Sequence, residues 1–583
     1  MKKTSGRVWR LKSRGRAVRR RSAAAVLWVT LVLALAAGAG EVPVVRNIGE
    51  HAPKFDGRAG VPVYPDQALE LKMKIDRSWS IAAVGDLLEF QPFSTNTDPR
   101  IQFLVGLLRS ADMTIGNYEN SIMDFDKFGY YGLNLSPKEV ADDWAHMGIR
   151  MVSRANNQDQ RAPGIWENFR QIERVGIIHV GVGHSLPEAR RARYVETTKG
   201  SVGLIGVYIS GGVDTCCAGG TVVRVTAEQL SQVGKIKASI LARRNEVEVP
   251  IALPPPDPPG EVNVFGVTFA AHAISATKRP PMFASESALG SPPRRPYDEL
   301  TAESLGSPVD GVTNTLHVTL YHGVTIKQMA VLREIAHESG GGDLSAFGTH
   351  FRVMEMPGEH SFDMNQQDLT EILTQIKTAK EASDFLAVNV HWHQNRYDFQ
   401  HYSYDHFPAD FEIKFAHAAI EEGADLVVGE GVHTIKGVEI YKGKPIYYGV
   451  SNYMFQAGLM PTLGQGATSL ASMAGASLPG TRAPDTAGHD EITGEHQMQG
   501  FYELRPNLEA LLAWSHYEGG RLREVKIYPV DLGQTYRPTD QAGIPMKPSP
   551  AVADKILTEV SVYSKPFGTQ IQNEDGVGVI KLP

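Results

Sequence analysis

The chain has 583 residues, of which 42% are hydrophobic and 21% are charged, and its net charge is −7 with histidine neutral. This length permits several domains, but we favour one large α/β domain that carries insertions. Ten of the 58 basic residues lie within residues 1–40, which contain no acidic residue. The remainder has 48 basic against 65 acidic residues, a net charge of −17. This acidic balance argues against a protein that binds nucleic acid or anionic lipid.

Residues 1–40 are predicted to form an export signal. A basic segment, Lys2–Arg21, precedes the uncharged run Ala23–Ala37. That run has 15 residues, whereas a bilayer-spanning helix needs about 20. Ala37-Gly38-Ala39 then has the small residues of a cleavage site. We expect an exported protein, located in the periplasm, in the cell envelope or outside the cell; an uncleaved signal anchor is the alternative to cleavage near Ala39.

The cysteines exclude a disulfide framework in spite of this expected export. The chain has two cysteines, Cys216 and Cys217, and they are adjacent. Adjacent cysteines form a disulfide only in a strained geometry. We interpret them as thiols without a catalytic role.

From Trp79 onward, short apolar runs alternate with amphipathic stretches, which is typical of an α/β fold. The predicted strands are Ile81–Val84, Met113–Ile115, Met151–Ser153, Ile177–Val180, Val202–Tyr208, Thr315–Tyr321, Phe385–Val390 and Leu426–Val428. The predicted helices are Ile101–Leu108, Pro137–Met147, Ile165–Val175, Ile326–His337 and Gln367–Ala382. We place the main domain at residues 78–530.

Four other segments do not show this alternation of apolar runs and amphipathic stretches. Residues 41–77 are predicted to be an extended lead-in, and residues 531–583 a C-terminal tail that packs on the domain. Residues 250–296 are dense in proline and are interpreted as a surface insertion, within which Val262–Ala271 could form a strand. Residues 456–497 are rich in Gly and Ala and poor in bulky apolar residues, so we predict a long loop beside the functional site.

Ligand-type residues follow the apolar runs at five places. In α/β enzymes the loops at the carboxyl ends of strands carry the site, because the scaffold fixes side chains there. The five motifs are Gly85-Asp86, Gly116-Asn117-Tyr118-Glu119-Asn120, Asn156-Asn157-Gln158-Asp159, His391-Trp392-His393 and Gly429-Glu430-Gly431-Val432-His433. Histidines that converge with carboxylates from several strands indicate a metal site.

The order of these motifs resembles the CapA family, the poly-γ-glutamate capsule biosynthesis proteins, whose domain is similar to that of the calcineurin-like metallophosphoesterases. The resemblance covers roughly residues 78–240 and 365–455, with a tail near Pro538–Gly568. Its strongest block is Gly423–Phe455, which contains Gly-Ala-Asp-Leu-Val-Val-Gly and ends in Tyr-Gly-Val-Ser-Asn-Tyr.

The resemblance implies a four-layered α/β/β/α sandwich with a site for two divalent metal ions. By position in the family motifs, the implied ligands are Asp86, Glu119, Asn157, His391 and His433. Two such ions would polarise the scissile group and activate water for hydrolysis. Carboxylates, an amide and imidazoles suit Mn, Zn or Fe, and the sequence does not choose among them.

Three positions depart from the family pattern. Gln158 replaces a histidine that resembles the proton donor of metallophosphoesterases, and a neutral amide cannot transfer a proton. Glu430 replaces a histidine of the Gly-His loop but could still bind metal through oxygen. His393 replaces a glycine, and imidazole titrates near neutral pH. Our hypothesis is that His393 is the catalytic acid that substitutes for the missing histidine.

The resemblance favours an exported metal-dependent hydrolase that acts on a phosphoester or on an anionic polymer such as poly-γ-glutamate. The partners expected are this substrate and capsule synthesis or export proteins, with no nucleic acid and with membrane contact only through an uncleaved N-terminus. The alternative is a non-catalytic envelope component that binds polymer or partners.

Overall fold

A computed structural model describes residues 75–128, 135–158, 160, 164–211, 221–242, 257–272, 310–394, 396–397, 406–456, 508–533 and 543–582. The predictions for the export signal, for nearly all of the lead-in, for Cys216 and Cys217, for Asp159, for most of the proline-rich insertion and for residues 457–497 lie outside these residues. Among the described residues, no helix combines the length and the hydrophobicity that a bilayer span requires.

The strands are, in chain order, β1 (Trp79–Leu88), β2 (Met113–Asn117), β3 (Ser121–Met123), β4 (Leu135–Pro137), β5 (Met151–Ser153), β6 (Ile178–Val180), β7 (Val182–Gly183), β8 (Arg193–Glu196), β9 (Ser201–Ser210), β10 (Thr221–Val225), β11 (Glu261–Val264), β12 (Val267–Ala271), β13 (Val312–Thr313), β14 (Thr315–Val324), β15 (Leu344–Ala346), β16 (Thr349–Val353), β17 (His360–Met364), β18 (Phe385–His391), β19 (Leu426–Glu430), β20 (Val438–Tyr441), β21 (Lys444–Tyr447), β22 (Asn452–Phe455), β23 (Glu509–Glu518), β24 (Arg521–Asp531), β25 (Gln572–Glu574) and β26 (Val577–Lys581). The helices are α1 (Pro99–Ser110), α2 (Phe125–Phe128), α3 (Glu139–Met147), α4 (Gly164–Arg174), α5 (Leu186–Arg190), α6 (Ala227–Ala242), α7 (Ile326–Ala336), α8 (Gln366–Glu381), α9 (Asp410–Glu421) and α10 (Pro550–Ser564), which a 3₁₀ turn (Lys565–Phe567) follows.

Two large mixed sheets form the frame of the molecule. In the first, the order is β25-β26-β24-β23-β1-β2-β5-β6, and β22 also pairs with β1. In the second, the order is β15-β16-β14-β9-β18-β19-β21-β20, with β17 beside β14 and β8 beside β9. The central pairs, β1 with β2 and β18 with β19, are parallel. Parallel neighbours bring their carboxyl ends to one edge of each sheet.

The two sheets pack face to face with helices outside. Ile81 of β1 and Leu204 of β9 belong to one hydrophobic cluster between the sheets. Because side chains alternate along a strand, Ala82 faces outward and lies in the cluster that includes Trp144 of α3. On the other side, Phe415 of α9 packs in the cluster that covers the second sheet. The layers are therefore α/β/β/α, and the predicted fold class is confirmed.

A smaller cluster lies beside the second sheet. The strands β10, β12 and β11 form a three-stranded sheet, and Phe269 of β12 packs with Val233 of α6 and Leu332 of α7. The strand that the sequence suggested at Val262–Ala271 is in fact a hairpin. Phe265 and Gly266 both have positive φ, 60° and 71°, which is the geometry of a two-residue type I′ turn.

Most predicted elements occur, and the chief differences are at their ends. The predicted helix Pro137–Met147 begins two residues later, at Glu139, because Leu135–Pro137 pairs in parallel with β3. The strands β1 and β18 extend beyond their apolar runs, so that Asp86 lies within β1 and His391 is the last residue of β18. The segment after residue 531 contributes α10, β25 and β26, and β26 pairs with β24.

Candidate metal centre

Six metal-ligand side chains gather where the two sheets present the carboxyl ends of their central strands. Each of these residues is at most 6% exposed. The first sheet supplies the carboxylates of β1 and of the loop after β2, and the second sheet supplies the ends of β18 and β19 and the loops that follow. The six residues are Asp86, Glu119, His391, His393, Glu430 and His433.

The ligand atoms of these residues form three overlapping groups. Within each group, the atoms lie within 4.8 Å of one another. The groups are Glu119 with His391 and His393, Asp86 with Glu119 and His433, and Asp86 with His391 and Glu430. Asp86, Glu119 and His391 each belong to two groups, so the three groups form one continuous site.

Asp86 and His433 link the two sheets across the centre. His433 Nδ1 lies 3.1 Å from Asp86 Oδ2 and 2.6 Å from Asn452 Oδ1. Its Nε2 lies 3.8 Å from Glu119 Oε1. Asn452 begins β22, which pairs with β1 opposite Asp86. The imidazole of His433 is therefore surrounded by oxygen atoms from three segments of the chain.

In the other half of the centre, His391 contacts three side chains. Its Nδ1 lies 2.6 Å from Glu430 Oε2 and 3.2 Å from Asn117 Nδ2, and its Nε2 lies 2.7 Å from His393 Nε2. Asn117 Nδ2 also donates to Asp86 Oδ1 at 2.8 Å. A single buried amide thus fixes the orientation of one ligand from each sheet.

Close backbone packing determines how His391 is placed. Gly431 has a φ of 90°, and a Cβ built on it would lie 2.7 Å from both Cε1 and Nδ1 of His391. Only glycine fits there without displacing the ring. His433 itself has a φ of 58°, which is uncommon outside glycine and often marks a functional constraint.

Burial and mutual charge shift the pKa values of the carboxyl groups in opposite directions. Burial alone would raise the pKa of Asp86, but the hydrogen bond and charge of His433 prevail and lower it. For Glu119, burial and the neighbouring Asp86 charge raise the pKa well above its usual value. The pKa of Glu430 is also raised, by burial and then by Asp86 and Glu119. Without a metal ion, burial and the neighbouring negative charges therefore favour the protonated forms of Glu119 and Glu430.

The pKa values of the three histidines are also shifted in opposite directions. Burial opposes the charged form of His433, yet Glu119 and Asp86 raise its pKa to about 9. Burial lowers the pKa of His391 to about 3, and Asp86 only partly compensates. Burial and the charges of His391 and His433 hold the pKa of His393 well below its usual value. His391 and His393 are thus neutral imidazoles, the form that binds metals.

The residues present fit a divalent metal. Oε2 of Glu119 and Oε1 of Glu430 are buried and accept no hydrogen bond within the described part of the chain. Buried polar atoms normally have a partner, so two such oxygens beside neutral imidazoles call for a cation. A mixed carboxylate and imidazole set suits Zn, Mn or Fe.

The structure brings four of the five predicted metal ligands together, namely Asp86, Glu119, His391 and His433. Asn157 is exposed at the surface, whereas its neighbour Asn156 is buried and donates to Asn117 Oδ1 and to the Tyr118 carbonyl. The predicted ligand role of Asn157 stays a prediction, and the amide that contacts the centre is Asn117.

His393 lies inside the centre, but its surroundings favour a ligand over an acid. Its Nε2 points at His391 Nε2, and its lowered pKa leaves no proton to donate near neutral pH. The catalytic role of His393 therefore stays a prediction. Sequence reasoning did not select Asn117, although it ends the run of β2 and lies two residues from Glu119, on the same side of an extended chain.

Comparison with known proteins agrees with this architecture. A family model described as bacterial capsule synthesis protein PGA_cap matches residues 71–253 and 313–457, more than half of the chain. The chain belongs to this family. Both matched segments include residues of the centre, with Asp86 and Glu119 in the first and His391, Glu430 and His433 in the second. The predicted resemblance to capsule synthesis proteins is confirmed.

Individual relatives differ in how much they share. An uncharacterized protein of Sinorhizobium fredii, y4sH, is 27% identical over 557 residues, which are 92% of this chain and 98% of the relative. The PGA biosynthesis protein CapA of Bacillus subtilis is 34% identical over 83 residues, 14% of this chain and 20% of that protein. A probable polyglutamine synthesis accessory protein of Mycobacterium tuberculosis is 35% identical over 88 residues, 15% of this chain and 21% of that protein.

Proposed function

We propose that this protein is an exported metal-dependent hydrolase in the metabolism of capsule or envelope polymers. Its substrate would be a phosphoester or an anionic amide polymer such as poly-γ-glutamate. The observation that carries the proposal is the convergence of six buried ligand side chains into one continuous site. The names of relatives, which concern capsule, PGA and polyglutamine synthesis, supply the polymer class.

The ligand set suits two divalent ions, because Asp86, Glu119 and His391 each belong to two of the three groups. Bound ions would polarise the scissile group and make the attacking water more acidic. The protein contributes orientation and a low dielectric. Asn117 holds Asp86 and His391 in place, and Arg154, itself fully buried, donates to the Tyr118 carbonyl and so fixes the loop that carries Glu119.

Proton balance follows from the groups of the centre itself. Glu119 and Glu430 would release their protons when an ion binds, because their raised pKa values arise from burial and from neighbouring negative charge that a cation offsets. His433 carries a proton at neutral pH in the metal-free centre. In the protonated ring, Nδ1–H faces Asp86 Oδ2 and Nε2–H faces Glu119 Oε1. His433 is therefore the histidine of the centre whose surroundings favour the protonated form.

Metal analysis combined with an activity assay tests the proposal. The protein would be purified from residue 41 onward, its bound metal measured by elemental analysis, and hydrolysis assayed with aryl phosphodiesters and with poly-γ-glutamate. We expect bound Zn, Mn or Fe and turnover that is lost in Asp86→Ala and in His391→Ala. Lys414→Ala is a matched control, since Lys414 is an exposed residue of α9 that pairs with Asp410. Parent activity no higher than that of the two centre variants would refute the hydrolase.

A second function is favoured by Gln158 and Asn157. The position at which the family motif has a proton donor holds an amide, and the neighbouring predicted ligand is exposed. The protein would then be a non-catalytic envelope component that binds polymer or capsule synthesis partners through its metal centre. Metal without turnover, together with metal-dependent retention of poly-γ-glutamate, would favour this function over hydrolysis.

Export is part of the proposal and rests on the pattern of residues 1–40. Fractionation of expressing cells tests it, followed by N-terminal sequencing of the recovered protein. We expect the protein in the envelope or the medium, beginning near residue 40 if the signal is cleaved. Recovery in the cytoplasm with an intact N-terminus would refute export without affecting the proposed chemistry.

A further inference from the structure

A cavity separate from the metal ligands lies at the edge of the sandwich. Its volume is about 890 Å³, and its walls come from α4, β6, α5 and β8. Pockets for small ligands usually measure roughly 300–1,000 Å³. The strand β6 is the last strand of the first sheet, and β8 pairs with β9 of the second sheet. The cavity therefore lies where the edges of the two sheets meet.

The charges of the wall favour an anion. Four arginines line the cavity against two glutamates. Arg193 pairs with Glu173, and Oε2 of Glu188 accepts the backbone amide of His184. Both carboxylates of the wall thus already have donors.

One arginine of the wall is available for a ligand. Arg170 pairs with Glu167, and Arg174 makes two hydrogen bonds with Asp142. Arg191 is exposed, and its guanidinium makes no hydrogen bond or ion pair with any described residue. A guanidinium presents a planar fork that matches a carboxylate.

His179 lines the cavity with its imidazole largely buried. His179 is 8% exposed and lines the wall, and its Nε2 lies 3.0 Å from Glu173 Oε1. Its Nδ1 is buried and has no hydrogen-bond partner among the residues described. Buried polar atoms of this kind are normally satisfied by a protein group, by water or by a ligand. His179 therefore helps to hold Glu173 in the wall through Nε2, and its buried Nδ1 is not offered to a ligand in the cavity.

Two stacked ring pairs form the remaining wall. Trp166 stacks on His184 with centroids 3.7 Å apart, and Phe169 stacks on His179 with centroids 3.6 Å apart. Each ring thus has one face already covered, which disfavours a nucleic acid base inserted between them. The same rings offer apolar surface to the methylene groups of a flexible chain. A ligand that alternates carboxylates with methylene groups matches both the rings and Arg191.

The cavity adjoins the loop that borders the metal centre. Gly181, in the wall of the cavity, has a φ of 89°, and a Cβ built on it would lie 2.5 Å from the Cβ of Ala155. Ala155 immediately precedes Asn156, which donates to Asn117. The backbone of Arg154 also donates to the Val180 carbonyl at 2.9 Å. The wall of the cavity is thus in direct contact with the segment that supports the ligands.

We propose that this cavity is a second binding site, which takes a stretch of a carboxylate-bearing chain with Arg191 as its principal anion contact. The identification of that chain with a γ-glutamyl polymer rests on the proposed function. The inference that the cavity binds carboxylates does not rest on the proposed function, because it follows from the residues of the cavity wall alone.

Binding to the metal-free protein tests the site separately from catalysis. A short fluorescein-labelled γ-glutamyl oligomer would be titrated by anisotropy into chelator-treated full-length protein at low ionic strength. We expect saturable binding that weakens with salt, since exposed charges are screened. Arg191→Ala should weaken binding about fivefold, because it removes a charge-assisted contact. Arg191→Glu should weaken binding more, because it replaces that contact with charge repulsion. Arg521→Ala, an exposed arginine at the start of β24, is the matched control and should bind like the parent.

Competition identifies the ligand class. We expect unlabelled γ-glutamyl oligomer to displace the probe more strongly than inorganic polyphosphate or a single-stranded oligonucleotide of equal charge. Equal binding by the parent, Arg191→Ala and Arg191→Glu would overturn the site. Stronger displacement by the oligonucleotide would overturn the carboxylate assignment. A hydrolase that fails its own assay while the oligomer still binds through Arg191 would refute the proposed function and leave this site standing.

Discussion

Replacing Gly431 with alanine should separate backbone strain from damage to the metal centre. Gly431 and Gly443 both have positive φ, 90° and 78°. A Cβ on Gly443 would meet nothing within 4 Å, whereas one on Gly431 would lie 2.7 Å from the His391 ring. Both substitutions carry the conformational cost of alanine at positive φ, roughly 1–2 kcal/mol. Only Gly431→Ala also moves a ligand.

The displacement sets the expected magnitude. Carbon contacts are optimal at about 3.5–4.0 Å, so the ring must shift by about 1 Å. That shift breaks the 2.6 Å contact of Nδ1 with Glu430 and the 2.7 Å contact of Nε2 with His393. Loss of such ligand orientation typically lowers metal affinity about 10–100-fold, which corresponds to about 1.4–2.7 kcal/mol.

Calorimetric titration of the metal-free proteins with Zn or Mn, with thermal unfolding alongside, measures both quantities. We expect Gly443→Ala to lose only the stability that the positive φ costs and to bind metal like the parent, while Gly431→Ala loses more thermal stability and binds metal more weakly. If Gly431→Ala and Gly443→Ala bind metal with equal affinity, the inference that Gly431 positions His391 is refuted.

Three further predictions concern the centre and its support. Asn117→Leu should lower metal affinity roughly 10–100-fold, because it removes the amide that contacts both Asp86 and His391; unchanged affinity in the same titration would contradict that role. Lys436→Met should lower the free energy of unfolding by about 3–5 kcal/mol, because Lys436 and Glu412 form a fully buried ion pair. Denaturant unfolding of the double variant with Glu412→Leu should show that part of this free energy is recovered. The metal-free protein should lose about 3 kcal/mol of stability as pH rises from about 6.5 to 9. Folding raises the pKa of His433 to about 9, so its contribution to stability is complete below the pKa of the unfolded state and is lost as pH rises through the pKa of the folded state. A His433→Gln protein with the same dependence of stability on pH would contradict this prediction.

The sequence predicted the frame because its strongest signals are local. Fully buried strands such as Phe385–His391 are nearly continuous apolar runs, interrupted here by Asn389. Their composition and length indicate a strand without any knowledge of the partner. Pairing between distant strands has no such signal. The antiparallel pairing of β1 with β23 joins Trp79 to Tyr517, and nothing in either segment specifies the other.

The centre was predicted in part for the same reason. Motif position selected Asp86 and His391, because each follows the apolar run of a strand and its direction is fixed by the sheet. Asn156 and Asn157 lie in a loop, where adjacent residues are not constrained to alternate, so the sequence could not tell which amide turns inward. The proposed acid role of His393 depends on a pKa that burial and two neighbouring histidines lower, and such a value follows only from the folded surroundings.

The centre draws its ligands from both sheets, and this has a consequence for how the chain holds together. Asp86 and Glu119 lie early in the chain, while Glu430 and His433 lie more than half its length away. A bound ion would tie these segments as a cross-link that closes a very long loop, which restricts the unfolded chain most. In a protein whose two cysteines are adjacent and cannot link distant segments, the metal would take the structural place that disulfides hold in many small secreted proteins. Chelation should therefore loosen the contact between the two sheets before it unfolds either one.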